Sequence, residues 1–236
     1  MNLKKLKFDL RKYSDKNKAE LLQRFFKTGP GEYADGDIFL GITVPKLRIL
    51  AKEYRSLPLN ETLRLLKSRL HEERLLSLLI VILKYRQADL SEKEKIYKAY
   101  LGHTKYINNW DLVDVTAKHI IGDFLKDKNR APLYNLARSA SLWERRIAIL
   151  STFHFIANNE FTDSLKIAKI LITDRHDLIH KAVGWMLREV GKKDIACEER
   201  FLKECYAAMP RTMLRYAIEL CPERKRQSYL QGGIHK

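Results

Sequence analysis

DLIHKAVGWMLREVGKK, residues 177–193, is the stretch from which the fold is read most directly. At about 100° per residue, Ile179, Ala182, Val183, Met186, Leu187 and Val190 share one stripe of a helix. Lys181, Trp185, Arg188 and Lys192 gather on roughly the opposite side. The same three- and four-residue recurrence returns near 15–27, 45–55, 59–69, 72–86, 91–101, 110–127, 131–140, 142–157, 160–173, 196–208 and 211–220. No segment alternates convincingly with the period of a strand. Pro45 can open a first helical turn, Pro58 and Pro132 sit at junctions, Ser91 with Glu94 reads as a capping box, and Asn109 reads as a cap for a helix beginning at Trp110. Short helices with short connections are the pattern of stacked antiparallel helical pairs in which each pair covers its neighbour. The expected class is therefore all-α, a HEAT-like repeat array forming a single domain over 1–236, with a compact irregular bundle as the alternative. TGPGEYADGD, residues 28–37, is the one long irregular stretch and is expected to be a loop.

The bulk numbers narrow the function classes. The 236 residues carry 45 Lys and Arg against 29 Asp and Glu, a net +16, which favours a polyanionic partner over a neutral one. The plainer reading of that surplus is a solvated basic surface. No apolar run approaches the roughly 20 residues of a membrane helix. The charged N-terminus lacks the apolar core of a secretory signal, and Cys197, Cys205 and Cys221 are expected to be reduced thiols, so a cytoplasmic protein is expected. P-loop, GxGxxG and CxxC motifs are absent, and His176 with His180 lacks further ligands that would complete a metal set.

Chemistry is sought where the periodicity is violated. Trp185 is a large aromatic on a basic face; it can stack on a ligand while the cations hold phosphates, or it can pack against a neighbouring repeat. In the helix from 110, Trp110 and Asp114 are one turn apart on the flank of the stripe formed by Val113, Ala117, Ile120, Ile121 and Phe124. An acid there can equally be a favourable first-turn charge. In LWERRIAILSTFHFI, residues 142–156, Arg146 projects into a stripe of Leu142, Ile149, Leu150, Phe153 and Ile156. An unpaired guanidinium there is costly, so it requires an acidic partner, Asp111 or Asp114 being candidates, or an anionic ligand.

Together, FLGITVPKLR (39–48), NNWDLVDVTAKHIIGDFLK (108–126), LWERRIAIL (142–150) and HKAVGWMLREVGK (180–192), with KTGPGEYADGD (27–37) ahead of them, resemble the bacterial DNA alkylation-repair family of AlkD-like, HEAT-repeat glycosylases. The resemblance implies a C-shaped, right-handed α-solenoid that holds duplex DNA on its concave face. It also implies excision of positively charged N3- and N7-alkylpurines with no metal or organic cofactor and without a base-flipping pocket. Trp110, Asp114, Trp185 and Arg146 match the family's active positions, and Arg48 matches a basic DNA-contact position. Lys46, Lys181, Arg188 and Lys192 are the further DNA-contact candidates. Asn109 departs from the pattern, standing where some members carry a second Trp. The rival reading is a non-catalytic HEAT-like scaffold for branched or damaged DNA, and a monomer is the expected state.

Overall fold

A computed structural model describes residues 2–232, and among them the chain is all-helical. Sixteen helical segments follow one another: α1 (Leu3–Arg11), α2 (Lys16–Phe25), α3 (Val44–Glu53), α4 (Leu59–Leu66), α5 (His71–Gln87), α6 (Leu90–Leu101), α7 (Trp110–Ala117), α8 (Asp123–Leu125), α9 (Ala131–Ala137), α10 (Leu142–Ser151), α11 (Phe153–Ala157), α12 (Thr162–Leu171), α13 (Asp177–Lys193), α14 (Ile195–Cys205), α15 (Arg211–Ala217) and α16 (Glu223–Gln231). The nearest thing to sheet among the described residues is an isolated bridge between Ile38 and Leu70. The chain divides into two compact units, Met1–Thr116 and Ala117–Lys236.

The first unit is organised around α5. Its middle, LLSLLIVIL, is apolar on every side, so α5 is buried all round and packs against α3, α4 and α6. Charged α1, which carries no apolar run, is fixed at its start by Asn2, whose side chain accepts from Lys5 N. It is anchored by buried Leu6 and Leu10 and by the Tyr54 hydroxyl donating to Asp9 (2.5 Å). The GIT turn admits no substitute for Gly41. Its φ is +78°, and a Cβ there would stand 2.1 Å from the Asp15 carbonyl oxygen, so α2 is able to close on the turn only over a bare backbone.

The second unit is organised around α13, which packs against α10, α11, α12, α14 and α15. The stripe Ile179, Ala182, Val183, Met186, Leu187 and Val190 is fully buried, as the periodicity requires. At Gly184 a Cβ would lie 2.4 Å from the Met213 carbonyl oxygen, which is how α15 comes so close to α13. Ahead of α8, Lys118–Gly122 is a π turn, a local widening of the helix that begins at Trp110. One local expectation differs from the structure. The cap of α6 is Asp89, accepting from Glu92 N, and not Ser91, because the helix starts two residues earlier than a cap at Ser91 would place it. Asn109 stands at the cap of α7 as expected: its carbonyl accepts from Val113 N, its Oδ1 accepts from Trp110 N, and its NH2 turns to Asp37. The basic ERKR segment forms the start of α16.

Candidate active site

Trp110 and Asp114 both lie on α7, one turn apart, and both are half-buried. Phe26 stacks on one face of the Trp110 indole with centroids 5.1 Å apart and rings 14° from parallel. Phe25 meets the indole edge-on at 6.1 Å while remaining 64 % exposed. Trp110 is thus a packed tryptophan on one side with an open aromatic neighbour. Asp114 lies near Tyr100: burial pushes that phenol well above its ordinary range, and the Asp114 charge adds to the shift. The Tyr100 hydroxyl is held by Thr116 Oγ1 at 2.7 Å.

The entry to α7 is held by a buried polar cluster. Asp111 Oδ2 meets His71 Nε2 at 2.8 Å, and Asp37 Oδ2 lies 3.4 Å from His71 Nδ1. Arg74 Nη2 donates to the same Asp37 oxygen at 2.6 Å, and the Asn109 amide nitrogen donates to it at 3.4 Å. His71, Arg74, Asp37 and Asn109 are all essentially excluded from solvent. Burial alone would raise the Asp37 carboxyl, but its hydrogen bond to His71 and the Arg74 charge hold it below the ordinary carboxylate range. Burial likewise works against a charged His71, but Asp111 and then Asp37 carry the imidazole above its usual value. One wall of an adjoining cavity of about 270 Å³ is formed by His71 and Asp111; Phe26, Phe39, Ile42 and Leu75 supply much of the remainder. Residue 109, where the sequence departs from the family pattern, therefore ties the end of the 28–37 loop to the start of α7. Asp111 is engaged by His71, which gives it a partner other than the Arg146 envisaged from sequence.

In the second unit Arg146 is buried, as its place in the stripe requires, at 5 % exposure. Its Nη1 donates to the Leu178 carbonyl oxygen at 2.5 Å, so a main-chain acceptor at the start of α13 satisfies part of the guanidinium. Next to it in sequence, Arg145 pairs with Asp174 at 2.6 Å. Trp185 is half-buried, tilted against Phe153 at 5.8 Å, and donates its indole N–H to Glu189 Oε1 at 3.0 Å. The cations around it are not bare. Lys181 pairs with Asp177 at 2.6 Å, Lys192 with Glu189 at 2.7 Å, and Arg188 with Glu219 and more distantly with Glu189. Glu189 is the acid that periodicity overlooked, because it sits among the cations of that face. On α3, Lys46 and Arg48 are exposed, and the Lys46 ammonium stands 5.1 Å from the Tyr13 ring centre. His180 is hydrogen-bonded to the Asp174 carbonyl and His176 accepts from Leu178 N; among the described residues no cluster of three or more potential metal ligands is found.

A family model described as DNA alkylation repair enzyme matches residues 6–221. The chain belongs to that family. No curated protein matches its sequence. Among solved structures, the chain is similar to a predicted DNA alkylation repair enzyme from Enterococcus faecalis, at 17% identity and a TM-score of 0.68, over 89% of this chain and 97% of that one. It is also similar to smu.31 from Streptococcus mutans UA159, at 19% identity and a TM-score of 0.52, over 94% and 96% of the two chains. At these identities the likeness is one of fold, and it agrees with the all-helical architecture. Membership of a DNA alkylation repair family makes DNA the expected partner of the basic chain, and among the described residues no helix is long and apolar enough to cross a membrane.

Proposed function

We propose that this member of the DNA alkylation repair family is a DNA glycosylase that hydrolyses the N-glycosidic bond of N3- and N7-alkylated purines in duplex DNA. Alkylation at those nitrogens makes the base cationic, so it leaves as a neutral molecule, and the barrier lies in the oxocarbenium character of the deoxyribose. A carboxylate fixed against that sugar stabilises the developing charge, which is a leading electrostatic contribution to catalysis. Asp114 is assigned that role and the orientation of the attacking water. Trp110 packs on the deoxyribose of the lesion nucleotide; Trp185 offers a second indole; Arg146 holds a backbone phosphate. Lys46, Arg48, Lys181, Arg188 and Lys192 contact the DNA backbone, with the counterions now on Lys181, Arg188 and Lys192 giving way to phosphate. Residues of the chain carry the whole reaction in this reading, with neither metal nor organic cofactor. The enzyme acts as a cytosolic monomer in base excision repair.

The observation that carries the reading is the placement of Asp114. It is half-buried one turn beyond an indole on a helix whose first residues are clamped, and its charge is felt by the buried Tyr100. Asp114→Asn tests it on N7-methylated duplex in the presence of a chelator. The expected result is no free 7-methylguanine with DNA retention intact; release at the wild-type rate would sink the assignment. DNA retention by the wild-type protein without any base release would leave the scaffold reading in its place.

A further inference from the structure

The first four residues of α5, His71, Glu72, Glu73 and Arg74, are all buried, which four consecutive charged or titratable residues seldom are. Each reaches a different segment. Glu72 accepts from the backbone amides of Leu40, Gly41 and Ile42 at 2.9, 2.8 and 3.2 Å, fixing the turn beneath α2. Glu73 pairs with Lys7 of α1 at 2.8 Å. Arg74 takes Asp37. His71 alone reaches the helix that carries Asp114 and Trp110. Its ring is stacked on Phe39 at 4.4 Å and tilted against Phe26 at 5.2 Å, and Phe26 in turn stacks on Trp110.

We propose that His71 is a positioning residue for the α7 groups, acting through its Nε2 contact with Asp111; this rests on the glycosylase reading of Asp114. The geometry rules the imidazole out as an acid or base toward DNA. Both ring nitrogens are occupied, by Asp111 and Asp37, and the side chain is 2 % exposed. What it does instead is join a chain of polar contacts, Arg74 to Asp37 to His71 to Asp111. That chain lies against a largely apolar cavity, where water competes poorly with each contact. Asp111 and Asp114 are three residues apart on one helix and so are close neighbours. The Nε2 contact at 2.8 Å ties Asp111 to the start of α5 and so holds α7, with Asp114 on it, in register. Orientation matters steeply in catalysis: a displacement of about 1 Å at a reacting group costs about 100-fold in rate.

The test uses two substitutions that each keep half of the imidazole's contacts. Glutamine places its amide nitrogen where Nε2 stands, and asparagine places it where Nδ1 stands. His71→Gln therefore keeps the Asp111 contact and His71→Asn keeps the Asp37 contact, while both lose the ring stack. Single-turnover release of 7-methylguanine is measured with enzyme in excess and above its Kd for N7-methylated duplex. His71→Asn is expected to lose about 100-fold in that rate with its DNA Kd within about twofold of wild type. His71→Gln is expected to stay within about tenfold of wild type, although its Tm falls as far as that of His71→Asn. Equal rates in the two variants, or losses that follow Tm, would overturn the proposal. The indole N–H resonance of Trp110, assigned by its loss in Trp110→Phe, supplies a reading without turnover. It is expected to move in His71→Asn and to hold in His71→Gln, and the reverse overturns the proposal. Should the wild-type protein release no base, the glycosylase reading fails by itself and the resonance still decides whether His71 positions α7.

Discussion

The cluster at the start of α5 and the face of α13 around Trp185 are built from the same kinds of residue, yet their physics differs. In the first, Asp37, His71 and Arg74 are buried at 5, 2 and 4 % side-chain exposure, and each links segments distant in sequence. In the second, each pair has at least one member from 45 to 55 % exposed, and the pairs are mostly local to one helix. Buried pairs are costly to break because a lone charge is left in a poor solvent, whereas exposed pairs are screened and contribute roughly 0–1 kcal/mol. The first arrangement fixes geometry. The second leaves its cations in pairs that cost little to break, which is what the proposed phosphate contacts require. A protein that must place one carboxylate accurately and also bind a mobile polyanion has use for both.

The largest effect expected from that contrast is in the first cluster. Arg74→Ala leaves Asp37 buried without its nearest cation and should cost about 3–5 kcal/mol, read as a drop in the urea midpoint. A loss below about 1 kcal/mol would mean that water reaches the cluster.

The second unit holds one buried acid without such a partner network. Glu198 is 3 % exposed, its Oε1 lacks a hydrogen bond, and burial, with the charge of Glu199, pushes its carboxyl up to about 8. A raised carboxyl pKa means that the folded state holds its proton longer than the unfolded state. Stability should therefore fall as pH rises from the ordinary glutamate range to about 8. Over that window Glu198→Gln should remove a slope of up to about 1.4 kcal/mol per pH unit, seen in denaturation at pH 5 and pH 8. Parallel profiles for the two proteins would show that Glu198 ionises normally.

The smallest stability effect belongs to the α13 face. Glu189→Gln should change stability by less than about 1 kcal/mol, because Lys192 is 45 % exposed and Arg188 keeps its pair with Glu219. It should nevertheless tighten DNA binding several-fold by removing an acid that competes with phosphate, and fluorescence anisotropy at fixed salt reads that change. Weaker binding would place DNA away from this face.

What was legible in the sequence follows from the same contrast. Amphipathic helices display their exceptions, so Trp185, Arg146, Trp110 and Asp114 stood out from their stripes, and the burial of Arg146 followed from its position. The helix α5 hid its exceptions. A helix that is apolar all round has no outward face, so the charged residues at its start looked like an ordinary solvated first turn. One signal was available: a helix start must be as buried as the helix that follows when the apolar stretch begins immediately, as LLSLLIVIL does after Arg74. Asp37 was hidden for a related reason, at the end of a loop rich in Gly and acids where burial leaves no periodic trace. The α1 helix was missed because two buried leucines and an asparagine cap are too little pattern among its lysines. The acids beside the α13 cations were visible as letters, but nothing in the spacing said that they would close on the lysines and arginine.

Whether Asp114 acts as the carboxylate of a glycosylase is decided by burst release of 7-methylguanine from a defined duplex, wild type against Asp114→Asn at equal DNA occupancy. A wild-type burst that vanishes in the variant is the expected result. Identical bursts, or none from either protein, would contradict it.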